Sequence, residues 1–240
     1  MRRYKVCSSR FAIGTLAALL ILAARAQAGP PLICHVIDIG QAKSLPWSGE
    51  GWSLSEGQNY NLKNLVADTL AILDSNTPVL VRMETLRRAT IYARQDPQAA
   101  KELLTRLYSR AQNSDTAGRP DALAWFDVGY LTECYKQWLG RNLPHMTDGL
   151  PMSPNPAANL DGYAWVKRAI GLRGQDPEME LAAALITLEG PEGDRQEHVQ
   201  KAMAGAKGDP LLAQNLASHF VGNRGETISD VLVKVTTAKN

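Results

Sequence analysis

A thiol, an imidazole and a carboxylate lie close together near the start of the sequence, at Cys34, His35 and Asp38. These are the residue types of a thiol nucleophile, a base that activates it and a group that orients the base. The segment shows no helical periodicity, and adjacent residues of an extended chain point to opposite sides, so Cys34 and His35 do not readily pair. We therefore expect a packed thiol or a disulfide at Cys34, with His35 bonded to main chain.

A second candidate is Asp127, which interrupts the apolar face of the helix that the sequence predicts over residues 122–139. A carboxylate at a buried position must be paired, hydrogen-bonded or protonated. As a catalytic acid it would need a cleft and a second carboxylate, and the nearby Glu133 falls on a different side of the same helix. We expect a structural buried acid that forms an internal ion pair or accepts N–H groups.

Other catalytic and metal-binding patterns do not occur in the sequence. Its four histidines are scattered, it has no Cys-x-x-Cys pair, and Glu197-His198 lacks the second histidine of a metalloprotease helix. A P-loop and a Gly-x-Ser-x-Gly elbow are likewise missing. We therefore predict no metal, no cofactor and no catalytic activity. The alternative is a hydrolase of the cell wall or of a small ester, using Cys34 with His35 or using Asp127.

Aromatic residues along the same predicted helix offer a non-catalytic site. Trp125, Tyr130, Tyr135 and Trp138 could form a platform for a peptide or a glycan, with Trp125 and Tyr130 as its candidate binding residues. The competing interpretation is plain core, because aromatic residues at helical spacing more often pack inside a protein.

The first 28 residues have the pattern of a secretory signal peptide. Basic residues are followed by an apolar run from Phe11 to Ala24, and Ala26-Gln27-Ala28 offers the small residues of a cleavage site. This run of 14 residues is shorter than the ~20 that a membrane-spanning helix needs. We expect cleavage after Ala28, no membrane span thereafter, and export to the periplasm or the extracellular space of a bacterium.

Charge and cysteine content narrow the classes of partner. Five of the 26 Lys and Arg residues lie within residues 1–28, which contain no Asp or Glu, so 21 basic and 24 acidic residues remain. This balance gives no electrostatic footprint for nucleic acid or anionic lipid.

Cys34 and Cys134 could form a disulfide in an oxidising compartment, or could be two separate buried thiols, because the sequence does not give their distance.

The predicted elements place these residues in an all-α fold. Residues 29–60 contain many Gly, Pro and Ser residues and predict an extended N-terminal arm, anchored on the helices by Trp47 and Trp52. Residues 61–240 are assigned to one helical domain. Helices are predicted over 61–73, from 79, from 97 to a polar break at 113–118, and over 122–139, 161–172, 177–188, 191–206, 210–220 and 226–237.

A duplicated pattern connects several of these helices. The segment Arg87-Arg88-Ala89 through Gln95-Asp96-Pro97 recurs as Lys167-Arg168-Ala169 through Gln175-Asp176-Pro177, and Asp209-Pro210 follows 33 residues later. Proline suits the first turn of a helix, and the preceding aspartate can cap the free amides, so each Asp-Pro predicts a helix start. The spacing is close to the period of a two-helix repeat.

The chain also resembles tetratricopeptide-like helical repeats over roughly residues 77–220. The resemblance lies in Trp125, Val128 and Gly129, and in Ala169, Ile170, Leu172 and Asp176-Pro177, although Thr132 stands where that family has an aromatic residue. It implies stacked antiparallel helix pairs whose concave surface binds a protein or peptide. Residues 34–40, 44–47 and 124–127 also look like a group of uncharacterised secreted bacterial proteins, which implies no activity. We therefore expect an exported, non-catalytic scaffold at the cell envelope.

Overall fold

The computed structural model describes residues 31–47, 60–137, 155–189 and 192–220, and every regular element in these residues is a helix. The all-α prediction is therefore confirmed. The elements are α1 (Pro31–Cys34), a 3-10 turn (Leu62–Asn64) leading into α2 (Leu65–Ile72), α3 (Val79–Ala93), α4 (Pro97–Thr116), α5 (Ala122–Gln137), α6 (Gly162–Arg173), α7 (Pro177–Ile186) with a 3-10 turn (Thr187–Glu189), α8 (Glu192–Ala206) and α9 (Pro210–Phe220).

Several predictions concern residues outside the described ranges. They are the signal peptide at residues 1–28, the arm anchor Trp52, the platform residue Trp138 and the last predicted helix at 226–237. One predicted boundary is wrong, because α4 continues through part of the polar break as far as Thr116. The polar residues fit in the helix because the Ser114 and Thr116 hydroxyls donate to the Ala111 and Gln112 carbonyls at 2.6 and 3.0 Å.

All three Asp-Pro pairs begin helices, as predicted. The carboxylates of Asp96, Asp176 and Asp209 each accept hydrogen bonds from the main-chain N–H groups two and three residues later, at 3.0 to 3.2 Å. Proline at the first helical position loses no hydrogen bond there, so the two residue types act together.

The turns before two of these caps differ in conformation, although the flanking sequences match. At the second copy, Gly174 and Gln175 have φ angles of +75° and +66°. At the first copy, Arg94 has right-handed helical geometry with φ −56°. The duplicated segments therefore match in their helix ends and caps, but the turns between the helices differ in backbone conformation.

The core is built around α3, α5 and α7, each of which contacts the other two. In an open repeat stack a unit contacts only its neighbours, whereas α3 contacts both α5 and α7. Fourteen of the fifteen residues of α3 are buried, so this helix is covered on every side. The packing gives a helical body with α3 inside it, and tetratricopeptide-like stacking stays a prediction.

Small residues set the closest helix contacts. A Cβ atom added to Gly162 of α6 would lie 2.4 Å from the Gly129 carbonyl oxygen of α5, and one added to Gly205 of α8 would lie 2.2 Å from Pro177 Cγ of α7. In α7, Ala182, Ala183 and Ala184 are all fully buried. Glycine thus lets α6 pack closely against α5 and α8 pack closely against α7. These contacts position the side chains of α6 and α8 that are described below.

Candidate functional site

From here on, the arm means residues 31–47, the part of the predicted segment 29–60 that the structure describes. It lies against the helices with much of its apolar surface buried. It begins with the helical turn α1, which the sequence did not predict, and residues 35–47 form no regular element. The side chains that it buries to 3% exposure or less are Leu32, Ile33, Cys34, Ile37 and Leu45. The arm therefore occupies a surface formed by α3, α5, α7 and α9, which we call the channel.

Asn215 of α9 holds the middle of the arm by its main chain. Its Oδ1 accepts the Asp38 N–H at 2.8 Å, and its Nδ2 donates to the Asp38 carbonyl at 2.9 Å. Asn215 is fully buried, and Gln214 Nε2 donates to the Asp38 carboxylate at 2.8 Å. One side-chain amide thus satisfies both hydrogen-bonding groups of one arm residue, as a neighbouring β-strand would.

A cluster of charges on α3 holds the two flanks of the arm. The Glu84 carboxylate accepts the Ile37 N–H at 3.0 Å and also accepts Arg87 Nε and Arg88 Nε at 2.7 Å each. The same guanidinium groups donate to arm carbonyls, from Arg87 to Ile33 at 2.9 Å and from Arg88 to Leu45 at 2.6 Å. Buried main-chain groups need partners, and here charged side chains supply them.

The two ends of the arm are fastened by other residues of the channel. Gln137 of α5 accepts the Leu32 N–H at 2.8 Å, and the Tyr92 hydroxyl donates to the Pro46 carbonyl. Trp47, a predicted anchor, is half-buried, meets Tyr92 edge-on at 6.0 Å between ring centroids and lies under the Arg87 guanidinium at 5.0 Å. Seven main-chain groups of the arm therefore bond to channel side chains.

The environment of Cys34 and His35 does not suit a thiol nucleophile. Burial raises the pKa of the Cys34 thiol, although Arg87 opposes this. Burial also lowers the pKa of His35, and Arg87 adds to that effect. A reactive cysteine needs a stabilised thiolate, so this geometry favours a packed thiol. Cys34 and Cys134 are both buried free thiols in the structure, which corresponds to the second of the two alternatives considered for them.

Asp127 lies in an internal ion pair. Its Oδ2 accepts Arg82 Nη1 at 2.6 Å and Arg110 Nη2 at 2.8 Å, and the carboxylate is fully buried. Burial raises the pKa of Asp127 to about 6, against the two guanidinium groups, which lower it. The same arginines donate to the carbonyls of Thr77 and Leu73 at 3.0 and 2.8 Å. This network ties α5 to α3, α4 and the end of α2, and it leaves no access for a substrate.

The structure places Trp125 and Tyr130 in the core, which corresponds to the second of the two interpretations considered for them and not to a binding platform. Tyr130 is fully buried and stacks on Phe126 at 5.6 Å between ring centroids. Trp125 is 4% exposed, and its Nε1 donates to Asp115 at 3.0 Å. The reason is that α5 is buried on nearly all sides, so an aromatic residue at helical spacing there faces a neighbouring helix.

A second polar cluster, which sequence reasoning missed, joins α6, α7 and α8. The Tyr163 hydroxyl lies 2.8 Å from His198 Nε2, and His198 Nδ1 lies 2.5 Å from the carboxylate of Glu180. Glu180 is 1% exposed and His198 8% exposed, whereas Tyr163 is half-buried. We call this chain of three residues the relay. Its members are separated by 17 and 18 residues, so no local motif could have revealed it.

Metal binding and membrane insertion find no support in the described residues. In the ranges that the structure describes, no three His, Cys, Asp or Glu residues are grouped so that they could hold a metal ion. The helices described also include none with the length and apolar character that crossing a membrane requires. No family model, no curated protein and no solved structure matches the chain. The channel and the relay are therefore the two features of the described residues that bear on function.

Proposed function

We propose that this protein is an exported helical scaffold whose channel binds an extended segment of a protein partner and catalyses no reaction there. One observation carries the proposal, the pairing of the Asn215 amide with both the N–H and the carbonyl of Asp38. Contacts of this kind recognise main chain, so they would serve any segment that follows the same path. The proposal assigns binding to the channel and no reaction.

The channel binds the arm through two kinds of contact, hydrogen bonds to main chain and apolar sites for side chains, and this supports the proposal. Hydrogen bonds to main chain contribute about 0.5–1.5 kcal/mol each and do not depend on the ligand sequence. Aliphatic side chains such as Leu32, Ile37 and Leu45 fill apolar sites, and these sites would set the specificity. The same split between main-chain affinity and side-chain selectivity occurs where peptides add to a sheet edge.

In this structure the channel holds the protein's own arm, so a partner segment must take its place. A tethered segment competes at an effective concentration in the millimolar range. A test must therefore remove the tether while keeping all of the protein. Placing a protease recognition sequence within residues 48–59 and cutting it would leave the arm bound but free to exchange.

The experiment measures exchange of a labelled peptide of residues 31–47 into the cut protein by fluorescence anisotropy. We expect saturable binding and release of the cleaved arm. A peptide N-methylated at Asp38 cannot donate to Asn215 and should bind about 5- to 150-fold more weakly, since an unpaired buried acceptor costs about 1–3 kcal/mol. The matched control is N-methylated at the exposed Lys43. Equal affinity of the two modified peptides, or no exchange into a cut protein that stays helical, would refute the proposal.

Export is tested separately in the bacterium. The sequence predicts that the protein accumulates in the periplasm or the medium with Gly29 as its first residue. Fractionation followed by intact mass measurement checks both points. A full-length chain that stays in the cytoplasm would remove the cell envelope from the proposal and leave the channel argument standing.

A further inference from the structure

The relay has the geometry that nucleophilic catalysis requires, and its side chains come from α6, α7 and α8. Glu180 of α7 is almost fully buried and lies 2.5 Å from His198 Nδ1. In the tautomer in which Nδ1 donates to this carboxylate, Nε2 is the acceptor, and it faces the Tyr163 hydroxyl at 2.8 Å. A hydroxyl, a base and a group that orients the base are therefore joined in one line.

Helix packing holds the hydroxyl end of the relay in place. Tyr163 follows Gly162, whose close contact with α5 fixes the start of α6, and the Tyr163 N–H donates to Glu133 Oε1 at 3.0 Å. The Lys167 ammonium lies 4.4 Å from the Tyr163 ring centroid and packs on the ring. Tyr163 is half-buried, and the hydrogen bond from its hydroxyl to Asp194 lies at an exposed position, whereas His198 is 8% exposed.

We propose that Tyr163 is a nucleophile that accepts the acyl group of a neutral ester, with His198 as its general base. In the first step Tyr163 Oη forms a bond to the ester carbonyl carbon. The bond from that carbon to the leaving alcohol oxygen breaks, and the phenol proton passes through His198 Nε2 to the leaving oxygen. Water then attacks the aryl ester with the same proton transfers, which restores Tyr163 and releases the acid.

The charges around the phenol favour a neutral donor over a phosphate. Asp194 Oδ2 lies 3.5 Å from the Tyr163 hydroxyl, and Glu180 and Glu197 lie in the same cluster, where Lys201 Nζ approaches their carboxylates at 3.8 and 2.7 Å. Three carboxylates against Lys201 and Lys167 leave the cluster acidic on balance, so it disfavours an anionic phosphate relative to an uncharged ester. Burial, reinforced by Asp194, raises the pKa of Tyr163 to about 12. The phenol therefore stays protonated at neutral pH and needs a base to react.

The chain contains its own control tyrosine. Tyr60 is also half-buried and donates its hydroxyl to a single acceptor, Asp68 Oδ2, at 2.6 Å. A carboxylate is a much weaker base than imidazole, with ordinary pKa values of about 3.9 and about 6.5. If the imidazole matters, Tyr163 should react and Tyr60 should not, under the same conditions and in the same molecule.

The test treats the full-length protein with p-nitrophenyl acetate and follows both p-nitrophenolate release and acetylation of each tyrosine by peptide mass mapping. We expect Tyr163 to react at least about tenfold faster than Tyr60, and His198→Gln to slow it by at least about tenfold, the low end of general-base effects being about 100-fold. Tyr163→Phe, which keeps the pair of His198 and Glu180, should abolish the release that the relay causes. Lysine acetylation is the background, and it should be equal in all variants.

The proposal is overturned if Tyr163 reacts no faster than Tyr60. It is also overturned if a folded His198→Gln protein, judged by its helical circular dichroism, reacts as fast as the wild type. Should that variant not fold, the ratio of Tyr163 to Tyr60 in the wild type decides alone. If the acetyl group leaves Tyr163 too fast to accumulate, the rate of p-nitrophenolate release decides. Equal rates for the wild type and for Tyr163→Phe would then refute the proposal.

Discussion

Replacing Glu84 by glutamine should strongly destabilise the protein, because four donors converge on that carboxylate. Oε1 accepts from Arg87 Nη2 and Arg88 Nε, and Oε2 accepts from Arg87 Nε and the Ile37 N–H, all at 2.7 to 3.0 Å. Glutamine replaces one oxygen by an NH₂ group, so two donors would face a donor. Breaking a fully buried ion pair in this way costs about 3–5 kcal/mol.

This cost is large against the ~5–15 kcal/mol of stability that proteins usually have. For a chain of this size it corresponds to a fall in Tm of about 6–20 °C. Denaturant titration gives the change in the free energy of unfolding. Hydrogen exchange adds a local readout, because the charged acceptor of the Ile37 N–H becomes a neutral amide in Glu84→Gln, and this N–H should exchange faster.

The matched control is Glu102→Gln on α4. Glu102 also pairs with an arginine four residues later, Arg106 at 3.1 Å, but the side chains are 44% and 61% exposed. An exposed pair of this kind contributes less than about 1 kcal/mol. If Glu84→Gln cost no more than Glu102→Gln, the buried charge cluster would not hold the arm, and the account of the channel would fail.

Three further predictions concern packing and charge elsewhere. Gly162→Ala should lower the free energy of unfolding by about 1–3 kcal/mol through overpacking. Gly171→Ala should raise it by up to about 1 kcal/mol, because nothing lies within 4 Å of the added Cβ. Denaturant titration measures both changes. His219→Gln should remove a pH dependence, because burial lowers the pKa of His219 to about 4. The unfolded chain then binds the extra proton, so the wild type should lose about 3 kcal/mol relative to the variant as pH falls from 6.5 to 4. Asp127→Ala should lower thermal stability more than Asp127→Asn, which keeps an oxygen acceptor for the arginines.

Each of these predictions has an outcome that contradicts it. Equal stability of the two alanine variants would mean that α5 and α6 do not approach as closely as the structure has them. For His219, only the difference between wild type and variant counts, because His35, Glu84 and Arg87 also face its ring. A flat difference curve would mean a hydrated imidazole. Equal, negligible effects of the two Asp127 substitutions in thermal melts would mean an exposed carboxylate.

Helix starts could be predicted from the sequence because capping is local chemistry. The carboxylates of Asp96, Asp176 and Asp209 bond to amides only two or three residues away, so the pattern alone contains the interaction. The burial of Asp127 was predictable in the same way, from its position on an apolar face. Its partners were not, because Arg82 and Arg110 lie 45 and 17 residues away and reach it only through helix packing.

The main difference between sequence and structure lies on α3. Its spacing predicts one apolar face, with Val79, Met83 and Leu86 inside, which would leave Glu84 and Arg87 exposed. Both are fully buried because the arm covers that side of the helix. The path of an irregular segment depends on tertiary contacts, so periodicity could not foretell it. The relay was missed for the same reason, since its three residues meet only when three helices pack.

The polar floor of the channel limits how a partner could enter. If the arm left, Glu84, Arg87, Arg88 and Asn215 could rehydrate, which an entirely apolar floor could not do. Four aliphatic arm side chains, each no more than 1% exposed, would however meet water at about 1.5–3 kcal/mol each, or about 6–12 kcal/mol together. A partner segment must therefore bring its own aliphatic side chains to replace Leu32, Ile33, Ile37 and Leu45, and a polar peptide that offers only main chain should fail to displace the arm.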